Sequence, residues 1–156
     1  MIYRVLLVCM GNVCRSPTAE VVLRVFIKNN NLGGKVEVDS AGTHGYHVGE
    51  APDGRTQRAA AVRGYNLSQV RARKVARQDL DYFDLILAMD ASNLAELQAL
   101  QPADSHAELD LYLRRYELAL DEMPDPYYGG EEGFEHVLDL AEQAAACLLA
   151  EVRGRL

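Results

Sequence analysis

Four apolar residues, Val5-Leu6-Leu7-Val8, run straight into Cys9-Met10-Gly11-Asn12-Val13-Cys14-Arg15-Ser16 and then into Pro17-Thr18-Ala19-Glu20. An unbroken apolar run of this kind is what a central parallel strand, buried on both faces, requires. Pro17 suits the first turn of a helix, where its missing N–H is no loss, and Ser16 before it is a favoured N-cap. The order strand, loop, helix follows. Backbone N–H groups in a loop that ends at a helix N-terminus can converge on one point, and the helix dipole adds positive charge there, so the loop is equipped to hold a tetrahedral anion. Arg15 adds a planar fork that grips two oxygens of such an anion.

Cys9 sits at the base of this loop, where the donors that hold an anion also stabilise a thiolate. Cys-x5-Arg-Ser on a strand–loop–helix is therefore equipment for moving a phosphoryl group to sulfur and then to water. Ser16 supplies a hydroxyl to the sulfur as it leaves. Met10, Gly11, Asn12, Val13, Cys14 and Ser16 are the substrate-binding candidates of the loop, and Gly11 is expected to take the positive φ that a loop curling round an anion needs. The plain alternative for Cys9 taken alone is a buried structural cysteine closing a strand.

Along the chain, Tyr3 to Val8 reads as the first strand. Ala19, Val22, Leu23, Phe26 and Ile27 share one helical face, and that helix stops in Asn29-Asn30-Asn31-Leu32-Gly33-Gly34. Val36 to Asp39 reads as a short strand completing a βαβ unit. From Ser40 to Gly54 the chain is irregular and reads as a loop. Ligands in α/β sheets lie beyond the carboxyl ends of strands, so this loop should line the same mouth as the anion loop. Tyr46 is then either a wall of that cleft or a half-exposed loop tyrosine. A short helix is expected over Gln57 to Gly64, starting near Asp53-Gly54-Arg55-Thr56 and stopping at Gly64, with a strand over Leu85 to Met89, a helix over Ser92 to Leu100 and a strand near Glu108 to Leu113. Phe134, Val137, Leu138, Ala141, Ala145, Leu148, Leu149 and Val152 mark one face of a last helix, with Glu131 and Glu132 placed for its dipole.

Before that helix, Met123-Pro124-Asp125-Pro126-Tyr127-Tyr128-Gly129-Gly130 has the composition of a surface loop of set geometry. Asp-Pro alone is usually a turn former. Beside a nucleophilic cysteine it gains a second meaning, because an aspartate reaching over a leaving oxygen can protonate it, a contribution of ~10²–10⁴-fold. Tyr127 and Tyr128 fit the rim of a deep slot selective for flat aryl esters, or are themselves phosphorylation targets.

At 156 residues the chain has the length of one domain spanning 1–156. A net charge of −7 opposes a nucleic-acid surface. Its one basic stretch, Arg71-Ala72-Arg73-Lys74 with Arg77, is either solvated surface or a phosphoprotein contact. No run approaches the roughly 18 apolar residues of a membrane span, and no cleavage pattern of a signal peptide is present. A cytoplasmic location is expected, with export by a route needing no signal peptide left open. Three cysteines are an odd number, which speaks against a disulfide framework. Cys147, within Ala144-Ala145-Ala146-Cys147-Leu148-Leu149, reads as packing. His44, His47, His106 and His136 lack ligand spacing, so no metal and no cofactor is expected. If the loop curls round an anion, Cys14 comes close enough to Cys9 to trap an oxidised Cys9 as a disulfide, a reversible brake.

The stretch Val8 to Pro17 resembles the active-site signature of the low-molecular-weight protein tyrosine phosphatases, and Asp125-Pro126-Tyr127-Tyr128 resembles that family's general-acid loop. Asp39-Ser40-Ala41-Gly42-Thr43 and Asp84-Leu85-Ile86-Leu87-Ala88-Met89-Asp90 are similar to further family segments in the family's order. The resemblance implies a three-layer α/β domain whose four-stranded parallel sheet runs 2-1-3-4. It also implies a metal-independent phosphotyrosine-protein phosphatase with Cys9 as nucleophile, Arg15 as phosphate ligand and Asp125 as acid and then base. Ser40 and Asn12 would hydrogen-bond to shape the loop, and Tyr46 would match a position where the family often has an aromatic. Its partners would be tyrosine-phosphorylated proteins with inorganic phosphate as product, and neither nucleic acid nor membrane; a monomer is expected. Arg63 stands where many relatives carry histidine, which weakens any supporting hydrogen bond from there.

Four other readings share parts of this equipment. Arsenate reductases resemble the scaffold but need extra resolving cysteines, and only Cys147 is spare. Protein-arginine phosphatases typically have threonine where this chain has Val13, whose apolar bulk suits an aryl group better. A non-hydrolytic phosphocysteine carrier would need no Asp125, and the intact set of Cys9, Arg15 and Asp125 speaks against a pseudo-enzyme that only binds phosphoproteins.

Overall fold

The computed structural model describes residues 1–127 and 129–156. Strand β1 (Tyr3–Cys9) leads through the loop into helix α1 (Arg15–Asn29), and β2 (Val36–Gly42) returns parallel to β1. Helices α2 (Gly54–Val62) and α3 (Asp79–Tyr82) precede β3 (Leu85–Ala88), which is followed by α4 (Ala91–Leu100), β4 (Glu108–Leu111), a turn of helix α5 (Tyr112–Arg115) and the long α6 (Glu131–Arg153). All neighbouring strands are parallel and the order is β2-β1-β3-β4.

Alternation along β1 explains the three layers. Val5 and Leu7 face the core packed by α1 and α6, whereas Leu6 and Val8 face the core that holds Leu80, Phe83 and Leu97. Both faces are dry, as the continuous apolar run requires. The chain leaves β1 toward β2 on one side and later fills β3 on the other, so a topological switch point lies at the carboxyl end of β1, where α/β folds bind ligands. Residues 9–16 lie there.

Several expectations shift locally. Helix α1 starts at Arg15 with Cys14 as the N-cap residue, so Ser16 is inside the first turn rather than the cap. Its hydroxyl is engaged with Cys9 instead. Strand β2 runs on through Ser40, Ala41 and Gly42, paired with Leu7, Val8 and Cys9, so the loop begins at Thr43. Helix α2 starts at Gly54, inside the expected Asp53 to Thr56 start, because Asp53 caps it, accepting from the N–H groups of Arg55 and Thr56. It ends at Val62, and Gly64 takes φ 86° in the turn beyond. The fourth strand stops at Leu111, since Tyr112 and Leu113 turn inward as fully buried parts of α5.

Candidate active site

The Cys9 sulfur is buried at the end of β1 and receives the Asn12 N–H at 3.2 Å, with the Ser16 Oγ 3.0 Å away. The expected positive φ falls on Asn12 (φ 60°), not on Gly11. Asn tolerates that region better than most residues, and here its side chain is fully used. The backbone N–H of Arg73 donates to the Asn12 Oδ1 at 3.0 Å, which fixes the orientation of the amide. The Asn12 Nδ2 then donates to Ser16 Oγ at 2.8 Å and to Ser40 Oγ at 3.0 Å. Because Ser16 accepts from Asn12, its own proton is free to donate to the sulfur. Ser40 in turn donates to the buried Glu20 carboxylate at 2.5 Å, and Glu20 is paired with Arg24.

Arg15 is 4% exposed. Its Nη1 donates to Asp90 Oδ2 at 2.7 Å and to the Met123 carbonyl at 3.2 Å, and its Nη2 lies 3.7 Å from Asp125 Oδ2. Burial pulls its pKa down, but negative charge at Cys9, Asp90 and Asp125 outweighs that and holds it above the ordinary value. Asp90 serves two purposes, since its other oxygen caps α4 by accepting from the Asn93 N–H. Asp125 Oδ1 accepts from the Tyr127 N–H at 3.0 Å, which turns the loop so that Oδ2 faces Arg15.

These groups border a cleft of about 240 Å³. Cys9, Met10, Gly11, Val13, Cys14 and Arg15 form its floor, and Tyr46, His47, Asp125 and Tyr127 its walls. Tyr46 is therefore at the cleft, its exposed ring stacked on His44 with centroids 5.2 Å apart. Asn12 and Ser16 are behind the loop as its support rather than on the cleft surface. Tyr128 lies outside the described residues. Gly11 matters for room: a Cβ there would stand 3.2 Å from His47 Cδ2. Gly42 matters more, because a Cβ would come within 2.7 Å of the Met10 carbonyl oxygen and push the loop off β2.

Burial pushes the Cys14 thiol up to about 12, so beside Cys9 it stays protonated at neutral pH. Arg63 caps the C-terminus of α2 and pairs with Glu135, Asp139 and Glu142 of α6. It is a tie between helices. Sequence reasoning missed His47, Asp90, Glu20 and the closeness of Gly42. Only Asp90 left a trace, as the acidic residue closing the segment Asp84 to Asp90. Among the described residues no three His, Cys, Asp or Glu side chains are grouped to hold a metal ion.

The family model for low molecular weight phosphotyrosine protein phosphatase matches residues 4–155. A low molecular weight protein-tyrosine-phosphatase from Streptomyces coelicolor is 45% identical over 160 aligned positions, covering 100% of this chain and 97% of the relative. The crystal structure of a protein tyrosine phosphatase from Entamoeba histolytica, with Hepes in its active site, superposes with a TM-score of 0.92 at 38% identity, covering 99% of each chain. An arginine phosphatase from Drosophila superposes at 0.88 with 31% identity, covering 95% of this chain and 96% of that one. With the match running almost from end to end and the loop, arginine and aspartate meeting in one cleft, this chain belongs to the low molecular weight phosphotyrosine protein phosphatase family.

Proposed function

We propose that the chain hydrolyses phosphotyrosine in proteins through a phosphocysteine intermediate, without metal or cofactor. The observation that carries this is the placement of Asp125 against Arg15 on the wall of a cleft whose floor is Cys9. The phosphate of the substrate takes the loop, with the backbone N–H groups and Arg15 on its equatorial oxygens. The Cys9 thiolate attacks phosphorus, the P–O bond to the phenol breaks, and the Asp125 carboxylic acid gives its proton to the leaving oxygen. The Asp125 carboxylate then takes a proton from water as it attacks phosphorus, and the sulfur leaves toward the Ser16 hydroxyl. Inorganic phosphate is released.

Selectivity for tyrosine follows from depth and lining. A buried nucleophile is reached by a long aryl ester and not by phosphoserine, and Val13, Tyr46 and Tyr127 offer apolar and aromatic walls to a flat ring. Val13 favours the aryl ester over phosphoarginine, the substrate class named for the Drosophila neighbour. Asp125 favours hydrolysis over a carrier role, since a carrier has no phenolate to protonate.

We further propose a redox brake. Peroxide oxidises the Cys9 thiolate to a sulfenic acid, and the Cys14 thiol condenses with it, forming the disulfide and releasing water. The protein is expected to act as a cytoplasmic monomer. The test is turnover of phosphotyrosine, phosphoserine and phosphoarginine peptides in EDTA, wild type against Cys9→Ser. Preference for phosphotyrosine that vanishes with Cys9 supports the reading; turnover that stops in EDTA or survives Cys9→Ser overturns it.

A further inference from the structure

A second groove, of about 410 Å³, is lined in part by Thr43, the residue that follows β2. One wall is Thr43 with Lys74 and Arg77, and the other is Glu96 with Ala99 and Leu100 of α4. His44 touches lining residues of both this groove and the catalytic cleft. Its ring stacks on Tyr46, a wall of the catalytic cleft. Its Nδ1 lies 3.0 Å from Thr43 Oγ1 and 3.9 Å from Glu96 Oε2, both in the groove.

Backbone pairing fixes the segment that carries Lys74. Gly42 and Lys74 form a parallel bridge, with the Gly42 N–H on the Arg73 carbonyl and the Val75 N–H on the Gly42 carbonyl, both at 2.8 Å. A Cβ on Gly45 would stand 3.7 Å from Lys74 Cδ, so the lysine stem runs along the back of the loop that carries Tyr46. Arg73, which precedes Lys74 in sequence, is occupied by Asp39 and Asp79. Among the described residues Lys74 and Arg77 form no ion pair, although acids outnumber bases 23 to 16 in this chain. A net charge of −7 opposes the approach of an acidic peptide as a whole, so any acidic preference has to arise from a local patch.

We propose that this groove is a second substrate subsite, which takes an acidic side chain a few residues from the phosphotyrosine, with Lys74 and Arg77 as its cations. The inference rests on the phosphotyrosine reading above. An extended substrate advances about 3.3 Å per residue, so two or three residues carry it past His44, the side chain that contacts both linings. Glu96 on the far wall limits the attraction and keeps the bound carboxylate on the Lys74 side.

The experiment compares kcat/KM for two phosphotyrosine peptides of equal length, one with glutamates flanking the phosphotyrosine and one with glutamines. Wild type should prefer the acidic peptide about three- to ten-fold at low salt, the scale of two exposed ion pairs, and lose the preference as salt rises. Lys74→Glu with Arg77→Glu should invert the ratio, Lys74→Gln with Arg77→Gln should bring it to one, and Glu96→Gln should raise it. Hydrolysis of p-nitrophenyl phosphate, too small to span both cavities, reports that each variant is folded. An unchanged ratio in the charge variants, with neutral-peptide turnover intact, overturns the subsite alone. Absence of turnover on every phosphotyrosine peptide overturns the reading beneath it and the subsite with it.

Discussion

Replacing Asn12 should unbuild the phosphate loop, and the structure gives the size of the effect. The side chain is 1% exposed and makes three hydrogen bonds. Asn12→Ala leaves the Arg73 N–H without its acceptor, which costs about 1–3 kcal/mol, and removes one donor from each of two serines, about 0.5–1.5 kcal/mol each. Both serines keep a second partner, Cys9 for Ser16 and Glu20 for Ser40, so theirs is the smaller loss. Alanine at φ 60° adds about 1–2 kcal/mol of backbone strain. The total of about 3–8 kcal/mol is a large share of the ~5–15 kcal/mol that keeps a domain folded. Asn12→Gly loses the same bonds but not the strain. It should be about 1 kcal/mol milder, since glycine's entropic penalty of ~0.5–1 kcal/mol returns part of the gain. Urea unfolding of the three proteins reads both quantities. Destabilisation below about 0.5 kcal/mol in both variants would refute the hydrogen-bond argument, and equal destabilisation in Ala and Gly would refute the assignment of strain to Asn12.

Arg55 links the two halves of the site: it donates to both Asp53 oxygens and to the Tyr127 carbonyl, its guanidinium lies over Phe134 at 5.0 Å, and the Asp53 N–H donates to the Val13 carbonyl. Arg55→Ala should slow phenyl phosphate, which needs the acid, several-fold more than an activated nitrophenyl ester, with Arg55→Lys recovering part of the loss; equal slowing of both esters would remove Arg55 as a positioning residue for Asp125. Hydrogen bonds from Arg115, Tyr116 and Arg155 hold the Glu151 carboxyl down at about 2 from an ordinary 4.5. A depressed folded-state pKa stabilises the fold above about 4.5 and releases that stability as pH falls toward 2. Glu151→Gln should therefore flatten part of the acid loss of stability over that window, read as urea midpoints at pH 6 and pH 3, and an unaltered pH dependence would contradict it.

Legibility in the sequence followed how local each signal was. The apolar run of β1, the loop and Pro17 are contiguous and mark one another, so the strand–loop–helix was readable without a partner. The end of β2 was not, because Ser40-Ala41-Gly42 has poor strand propensity and is ordered by the ladder to Leu7, Val8 and Cys9. Short α3 and α5 carry too few residues for a periodic pattern. Within the site, Cys9, Arg15 and Asp125 were visible because residue type and flanking prolines carry their chemistry. Asp90 and Glu20 were not, since an acid holding Arg15 from 75 positions away and one holding Ser40 from 20 leave no local mark. Gly11 drew the positive-φ expectation by composition, yet Asn12 takes it because three partners hold its amide there.

The most direct test of the central claim is rapid acid quenching of the enzyme during turnover of p-nitrophenyl phosphate, followed by peptide mass mapping. Asp125→Asn, which lacks the base for the water step, should build up the intermediate when given this good leaving group. One added phosphoryl group is expected on the peptide that holds Cys9, absent from Cys9→Ser and chased away in wild type as phosphate is released. Turnover with no phosphoryl group on Cys9 at any quench time, or its appearance on another residue, would contradict it.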